Sequence, residues 1–391
     1  MIGGADQLAR AADAYLTPNY ARFPVEFERG SGAKLWDSAG NEYLDFLSGI
    51  SVSSVGHAHP AVVRAIAEQS ARLLHVGNFF YTQPMSSLAQ RLSECSLGPG
   101  SRVLFVNSGA EAVEAALKCA RKARRGGRIV SLHGAFHGRT YGALSATPQE
   151  SKQAPFAPLV PGFSSVPADA DSLRAAVGPD VAAVLLEPIQ GETGVHVLSA
   201  ELLRAAREVC DESGAALVFD EIQTGLGRTG AAWAFQHPGG VVPDMLLSAK
   251  ALGAGLPIGA LICGPRYADV FEPGDHGSTF PGGPVVCAAA HAALDVLLDE
   301  RLLERVRSLG ERLRAGLEEL PHVLSVRGRG LMIAFDVDLD AVEVVRRALV
   351  QQRLIVNATG PVTVRLLPPL IVDERDCDAA LQRLEIVLRE A

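Results

Sequence analysis

Two runs of six and five apolar residues, Val181-Ala182-Ala183-Val184-Leu185-Leu186 and Ala215-Ala216-Leu217-Val218-Phe219, constrain this chain more than any other feature. Neither alternates apolar with polar residues, and a strand without alternation is covered on both faces. A buried helix is the competing reading, but each run is too short for one and ends abruptly. Between them lies an amphipathic segment with Leu203, Ala206 and Cys210 on one face. A third unit repeats the pattern: Arg102–Val106 is followed by Asn107-Ser108-Gly109, then by Val113, Ala116, Leu117 and Ala120 at helical spacing. That helix fills with basic residues toward its end and stops at Gly126-Gly127. Strands alternating with helices predict an α/β chain with a mainly parallel sheet.

A length of 391 residues gives a prior of two or three domains. With 48% apolar and 20% charged residues there is material for a core and no signature of disorder. From about residue 288 the pattern changes. An amphipathic helix carrying Leu302, Val306, Leu309, Leu313 and Leu317 leads to strand-like segments near 331–335 and 362–366, then to a helix with Leu381, Leu384 and Leu388. These predict a large domain over 51–287 and a smaller α/β domain over 288–391, with residues 1–50 packing on the small one. The proline-rich stretch 148–167 reads as a surface loop inside the large domain.

The charge balance excludes one class of function. Thirty-six basic against 44 acidic residues leave −8, without the basic stripe of a duplex nucleic-acid binder. The longest uncharged apolar stretch, 251–265, is broken by Gly and Pro and is too short to span a bilayer. The amino-terminal segment has no apolar core of a secretory signal. Six scattered cysteines without a CxxC pair suggest reduced thiols in a cytoplasmic protein rather than a disulfide or zinc framework.

Chemistry is written at the ends of the apolar runs. One ends in Glu187-Pro188 and the other in Asp220-Glu221-Ile222-Gln223. Ligands of open α/β sheets sit beyond the strand carboxyl ends, and a carboxylate there needs a cation or a donor. Asp220, directly after five apolar residues, is read as a ligand group; Glu221 is read as a helix cap or surface pair. The turn Asn107-Ser108-Gly109-Ala110 opens a helix, where free N–H groups and the helix dipole favour phosphate. Lys250 follows an apolar run and precedes Gly253-Ala254-Gly255. A desolvated lysine has a lowered pKa and becomes an imine-forming nucleophile.

A phosphate cradle, a carboxylate for a ring nitrogen and an imine-forming lysine are the needs of pyridoxal phosphate. An aspartate–pyridinium pair at ~4 Å is worth about 4 kcal/mol at an effective dielectric of ~20. The string Gly225-Leu226-Gly227-Arg228-Thr229-Gly230 also spells a dinucleotide fingerprint, but no full helix follows before Pro238, so it is read as a loop beside the cofactor.

Six strings carry a family resemblance: NSGAEAVEAALKCAR from Asn107, AFHGRT from Ala135, EPIQGETGV from Glu187, VFDEIQTGLGRTG from Val218, SAKALGAGLPIGA from Ser248 and HGSTFPGGP from His276. In order and extent, from about residue 24 to the end, the chain resembles the class III pyridoxal-phosphate aminotransferases, which share the aspartate-aminotransferase fold (fold type I). The compact length, HGSTF and VRLLPPL place it nearest the subgroup that acts on acetylornithine.

The resemblance implies roles. Lys250 is the Schiff-base lysine and proton carrier; Asp220 meets the pyridine nitrogen and Gln223 the phenolic oxygen. Ser108, Gly109 and Ala110 form the phosphate turn, and Phe136 stacks on the ring. Thr279 reaches the phosphate of the other subunit, with Ser278 beside it, which implies a homodimer with shared active sites. Arg139 and Arg365 clamp substrate carboxylates, Glu192 covers Arg365 while a distal amine is processed, and Tyr81 lines the substrate pocket. The implied reaction carries the amino group of N-acetylornithine to 2-oxoglutarate, as in arginine biosynthesis. Ornithine, succinylornithine, 4-aminobutyrate, succinyl-diaminopimelate and an aminomutase reaction are the alternatives. Where the family usually reads GGNP, this chain has Pro281-Gly282-Gly283-Pro284.

Other residues read blandly. His57 and His59 have metal-like spacing but no third ligand, so a turn entering a helix at Pro60 is expected, and no metal site. His137 is expected to hydrogen-bond within its loop, and Arg228 to touch the cofactor loop or solvent.

Overall fold

Alternate residues of the two apolar runs feed different cores. Val184, Leu186, Leu217 and Phe219 join Leu202, Ala206 and Val209 of the helix Ala200–Ser213. Ala183, Leu185, Ala216 and Val218 join Val113, Ala116 and Leu117 of the helix Gly109–Ala123. The runs form the strands Val181–Leu186 and Ala216–Asp220, buried throughout. The computed structural model describes residues 5–390; the first four residues of the 1–50 segment and the last of 288–391 lie outside it.

The main sheet has seven strands, in spatial order Arg102–Val106, Gly259–Cys263, Met245–Ser248, Ala216–Asp220, Val181–Leu186, Arg128–Leu132 and Phe163–Val166. Gly259–Cys263 is antiparallel to both neighbours, and the other four pairings are parallel. Two strands depart from expectation. Gly259–Cys263 lies in the uncharged 251–265 stretch, and the edge strand Phe163–Val166 lies within the expected loop 148–167.

A second, antiparallel sheet orders Val323–Arg329, Met332–Val337, Thr363–Leu366 and Asn357–Ala358. Helices Glu300–Glu318, Ala341–Gln352 and Glu374–Arg389 accompany it. Strands Phe27–Ser31, Lys34–Asp37 and Glu42–Asp45 form a third sheet, and its last strand pairs with Leu354–Ile355. The amino-terminal segment is thereby tied to the carboxyl-terminal third. The 287/288 boundary falls inside the helix Pro284–Leu297, which packs on Pro60–Ser70 and Gln83–Cys95.

His59 caps Pro60–Ser70 by accepting from the Ala61 N–H at 3.3 Å, and His57 Nε2 lies 2.7 Å from Asp45. All six cysteines are free. Among the described residues no helix is long and apolar enough to cross a membrane, and no three or more His, Cys, Asp or Glu gather for a metal.

Candidate active site

Parallel register delivers the chemistry to one end of the sheet. Leu186 aligns with Phe219, so Glu187 and Asp220 emerge side by side, and Asp220 aligns with Leu247, three residues before Lys250. The loops after Arg102–Val106 and Arg128–Leu132 open at the same end, bringing Ser108, Gly109, Ala110, Phe136 and Arg139. Together with Glu192, Gln223, His137 and Lys250 they line a cavity of about 490 Å³.

The turn at its floor is shaped for an anion. Ser108 caps the helix Gly109–Ala123, its hydroxyl accepting from the Glu111 N–H at 3.2 Å, while Glu111 accepts from the Asn107 N–H at 2.7 Å. The N–H groups of Gly109 and Ala110, at the first helical positions, have no intrahelical acceptor. A side chain at 109 would strike Ile222, whose Cδ1 stands 2.8 Å from an ideal Cβ.

Asp220 Oδ2 lies 2.9 Å from His137 Nδ1, and its Oδ1 accepts from the Ile222 N–H at 3.1 Å. His137 Nε2 is buried without a partner. Glu187, which the sequence marked at a strand end without a role, also lines the cavity; it accepts from the Phe136 N–H at 2.8 Å and the Gly191 N–H at 3.4 Å. Burial raises its pKa to about 7, with His137 opposing.

Lys250 sits in a short 3₁₀ turn with φ 44°, a left-handed conformation that costs a non-glycine residue ~1 kcal/mol or more unless its surroundings hold it. Its amine makes no hydrogen bond or salt bridge. Burial pulls its pKa below the usual lysine value, with Glu192 acting the other way.

Arg365 is fully buried on the strand Thr363–Leu366. Its Nη1 donates to Glu192 at 2.8 Å, to the Gly191 carbonyl at 2.9 Å and to Gln223 at 3.2 Å; its Nη2 has no partner. Gln223 donates to Glu192 at 3.1 Å, so its amide is spent on this pair. Burial opposes the Glu192 charge, yet Arg365 and Lys250 hold its pKa below the ordinary value. Arg139 is exposed at the cavity mouth, 5.6 Å from the Phe136 ring centre, without a carboxylate partner.

Other candidates lie elsewhere. Tyr81 is 96% exposed and outside this cavity. Ser278 and Thr279 are exposed; Ser278 accepts from Asn107 at 3.4 Å. In the departing string Gly282 has φ 72° and Pro284 opens its helix, a position suited to proline. Two readings need correction. Glu221 is no surface group, though it does cap a helix: buried, it accepts from the Ala234 and Phe235 N–H groups, which open the 3₁₀ turn Ala234–Gln236, at 2.6 and 2.9 Å. Arg228 meets neither cofactor loop nor solvent; fully buried, it donates to Ser51, Ser54 and the carbonyls of Leu331 and Pro368.

Among the described residues, groups lining this cavity without partners include the Lys250 amine, the Gly109 and Ala110 N–H groups, His137 Nε2 and the Arg139 guanidinium, with Arg365 Nη2 unpartnered beside Glu192. An aldehyde-bearing phosphorylated ring and substrate carboxylates are what such a set would engage, so the residues fit pyridoxal phosphate.

The family described as Aminotransferase class-III matches residues 15–388. The acetylornithine aminotransferase of Caldanaerobacter subterraneus subsp. tengcongensis is 45% identical over 388 residues, covering 96% of this chain and 98% of that protein. That of Methanopyrus kandleri is 44% identical over 381 residues, covering 96% and 97%. Among solved structures, an ornithine aminotransferase from Toxoplasma gondii superposes with a TM-score of 0.94 at 36% identity, covering 99% of this chain and 96% of that one. An acetylornithine aminotransferase from Elizabethkingia anophelis gives 0.87 at 33%, covering 100% of both. A further T. gondii ornithine aminotransferase structure reports partial occupancy of PLP at its active site.

Proposed function

The chain belongs to the class III aminotransferases, and on that premise we propose that it transfers the distal amino group of N-acetyl-L-ornithine to 2-oxoglutarate, yielding N-acetylglutamate semialdehyde and glutamate for arginine biosynthesis. It is a transaminase of the aspartate-aminotransferase-like fold, and its cofactor is pyridoxal 5′-phosphate. Bound, the cofactor supplies an electron sink for the carbanion formed at the amine-bearing carbon. Lys250 Nζ, its pKa lowered by burial, would take the proton from that carbon and return it one position away. Asp220, oriented by His137, holds the ring-nitrogen proton. The Gly109 and Ala110 N–H groups would hold the phosphate, with Ser108 shaping their turn. Phe136 would pack on the ring, and Gln223, bonded here to Glu192 and Arg365, would serve the ring oxygen.

The observation that carries the substrate reading is the Glu192–Arg365 pair, 2.8 Å apart with Arg365 fully buried. With Glu192 over it, Arg365 attracts no carboxylate, and an amine-terminated side chain can approach Lys250. With Glu192 swung aside, Arg365 binds the α-carboxylate of 2-oxoglutarate bidentately. Arg139 holds the carboxylate at the substrate's other end in both cases. The curated relatives favour acetylornithine, and the 0.94 superposition on an ornithine aminotransferase makes ornithine the second reading. Absorbance half-reactions of the holoenzyme with acetylornithine, ornithine, succinylornithine, 4-aminobutyrate and succinyl-diaminopimelate separate them. Acetylornithine should react with the highest kcat/KM; preference for another donor would overturn the substrate assignment and leave the transaminase intact.

The active unit is a cytoplasmic homodimer on this reading, with Thr279 and Ser278 of each subunit, and Tyr81, completing the site of the other. Phe79, Phe80, Tyr81 and Phe280 are exposed. Asn78 ties their segments together by donating to the Pro281 carbonyl at 2.9 Å, and these exposed aromatics support the dimer reading. Sedimentation should show a dimer that Phe80→Asp splits; a wild-type monomer with full activity would refute it.

A further inference from the structure

The turn that carries Glu192 is gripped at its far end by a cation outside the cavity. Arg327, on the strand Val323–Arg329, donates from Nε to the Gly194 carbonyl at 2.6 Å, two residues beyond Glu192. Its Nη1 and Nη2 donate to Asp336 at 2.6 and 3.0 Å, so Asp336 fixes the guanidinium plane while Nε holds the turn. Asp336 is itself held by the Thr363 hydroxyl at 2.6 Å and Ser325 at 2.9 Å. Thr363 precedes Arg365 by two residues on the same strand, so both side chains project from one face of the sheet. One rigid sheet thus grips both halves of the Glu192–Arg365 pair, the cation directly and the turn through Arg327.

The fit is close. Gly194 has φ 122°, and an ideal Cβ there would stand 2.9 Å from Arg327 Nη2. The turn's other side is tied to the large domain, where the Thr193 hydroxyl donates to the Gly134 carbonyl at 3.0 Å. Held at Thr193 and Gly194 on one side of Glu192 and, on the other, at the Gly191 carbonyl, which accepts from Arg365 Nη1 at 2.9 Å, the turn fixes the backbone around the Glu192 side chain.

We propose that Arg327 is a positioning residue for substrate choice: by anchoring Gly194 it holds Glu192 over Arg365 and sets how readily the site admits a dicarboxylate in place of a distal amine. The inference rests on the reading of Glu192 as a movable cover. Releasing the turn should loosen the cover, so Arg365 is exposed more often. Dicarboxylates should gain, and amine donors, which need Arg365 covered, should lose.

The test compares the half-reaction of the pyridoxal form with acetylornithine and that of the pyridoxamine form with 2-oxoglutarate in wild type, Arg327→Met, Arg327→Lys and Glu192→Gln. Arg327→Met should shift the ratio of kcat/KM values about tenfold toward 2-oxoglutarate, a change of about 1.4 kcal/mol in the balance, with KM for 2-oxoglutarate falling. Arg327→Lys should shift it less in the same direction, because one ammonium cannot serve Gly194 and both Asp336 oxygens. A role in folding alone would lower both half-reactions together and leave the ratio fixed. A fixed ratio in Arg327→Met, while Glu192→Gln moves it, overturns the proposal and spares the cover. A fixed ratio in Glu192→Gln overturns the cover and the proposal with it. Should Arg327→Met fail to fold, Arg327→Lys decides by the same ratio.

Discussion

His137 Nδ1 lies 2.9 Å from Asp220 Oδ2, and both side chains are closed to solvent. A hydrogen bond to a buried charge is worth about 2 kcal/mol, and its loss leaves the carboxylate misoriented. His137→Phe should weaken pyridoxal phosphate binding roughly tenfold to thirtyfold by that arithmetic and lower kcat, while Asp220→Asn should do more. Titrating apoenzyme with the cofactor and following its absorbance measures both. Unchanged affinity and turnover in His137→Phe would show that Asp220 needs no such support.

Arg139 is a cation without a carboxylate partner at the mouth of the cavity. Lysine keeps the charge but loses the planar fork that grips both carboxylate oxygens. Arg139→Lys should raise KM for acetylornithine and for 2-oxoglutarate about tenfold, with kcat nearly preserved, the mark of lost uniform binding. Steady-state kinetics against both substrates reads this. A fall in kcat at constant KM would place Arg139 in the chemistry instead.

Glu221 carries a pH dependence of stability. Burial raises its pKa from 4.5 to about 7 in the folded chain, with two backbone N–H bonds opposing. Between those values the folded state binds the proton more than the unfolded state, so this group's contribution is fully present below 4.5 and is lost as pH rises through 7. Removing it should benefit Glu221→Gln relative to wild type by up to about 3 kcal/mol between pH 5 and pH 8. Urea unfolding of both apoproteins across that range measures the difference; parallel curves would contradict it.

What could be read from the sequence follows physical rules. Asp220 stood out because a charge directly after an uninterrupted apolar run has few places to go but a strand end, and Lys250 because it follows an apolar run and precedes the Gly-rich Gly253-Ala254-Gly255; strand ends share one crevice. Glu187 obeyed the same rule, but its neighbours were invisible: only the register aligning Leu186 with Phe219 puts it beside Asp220. Arg139, Glu192 and Arg365 have no local pattern of their own and were legible through resemblance alone. Arg228 misled because its partners at 51, 54, 331 and 368 are remote in sequence, so nothing nearby betrays a buried guanidinium. Arg327 carries no local signal for the same reason, since its partner at Gly194 is 133 positions away.

The most direct test is chemical labelling of position 250. Holoenzyme reduced with borohydride, digested and mapped by mass spectrometry should carry the pyridoxyl phosphate mass on the peptide containing Lys250, and Lys250→Ala should show neither label nor turnover. A label on another lysine, or full turnover in Lys250→Ala, would contradict the assignment of this cavity as the catalytic centre.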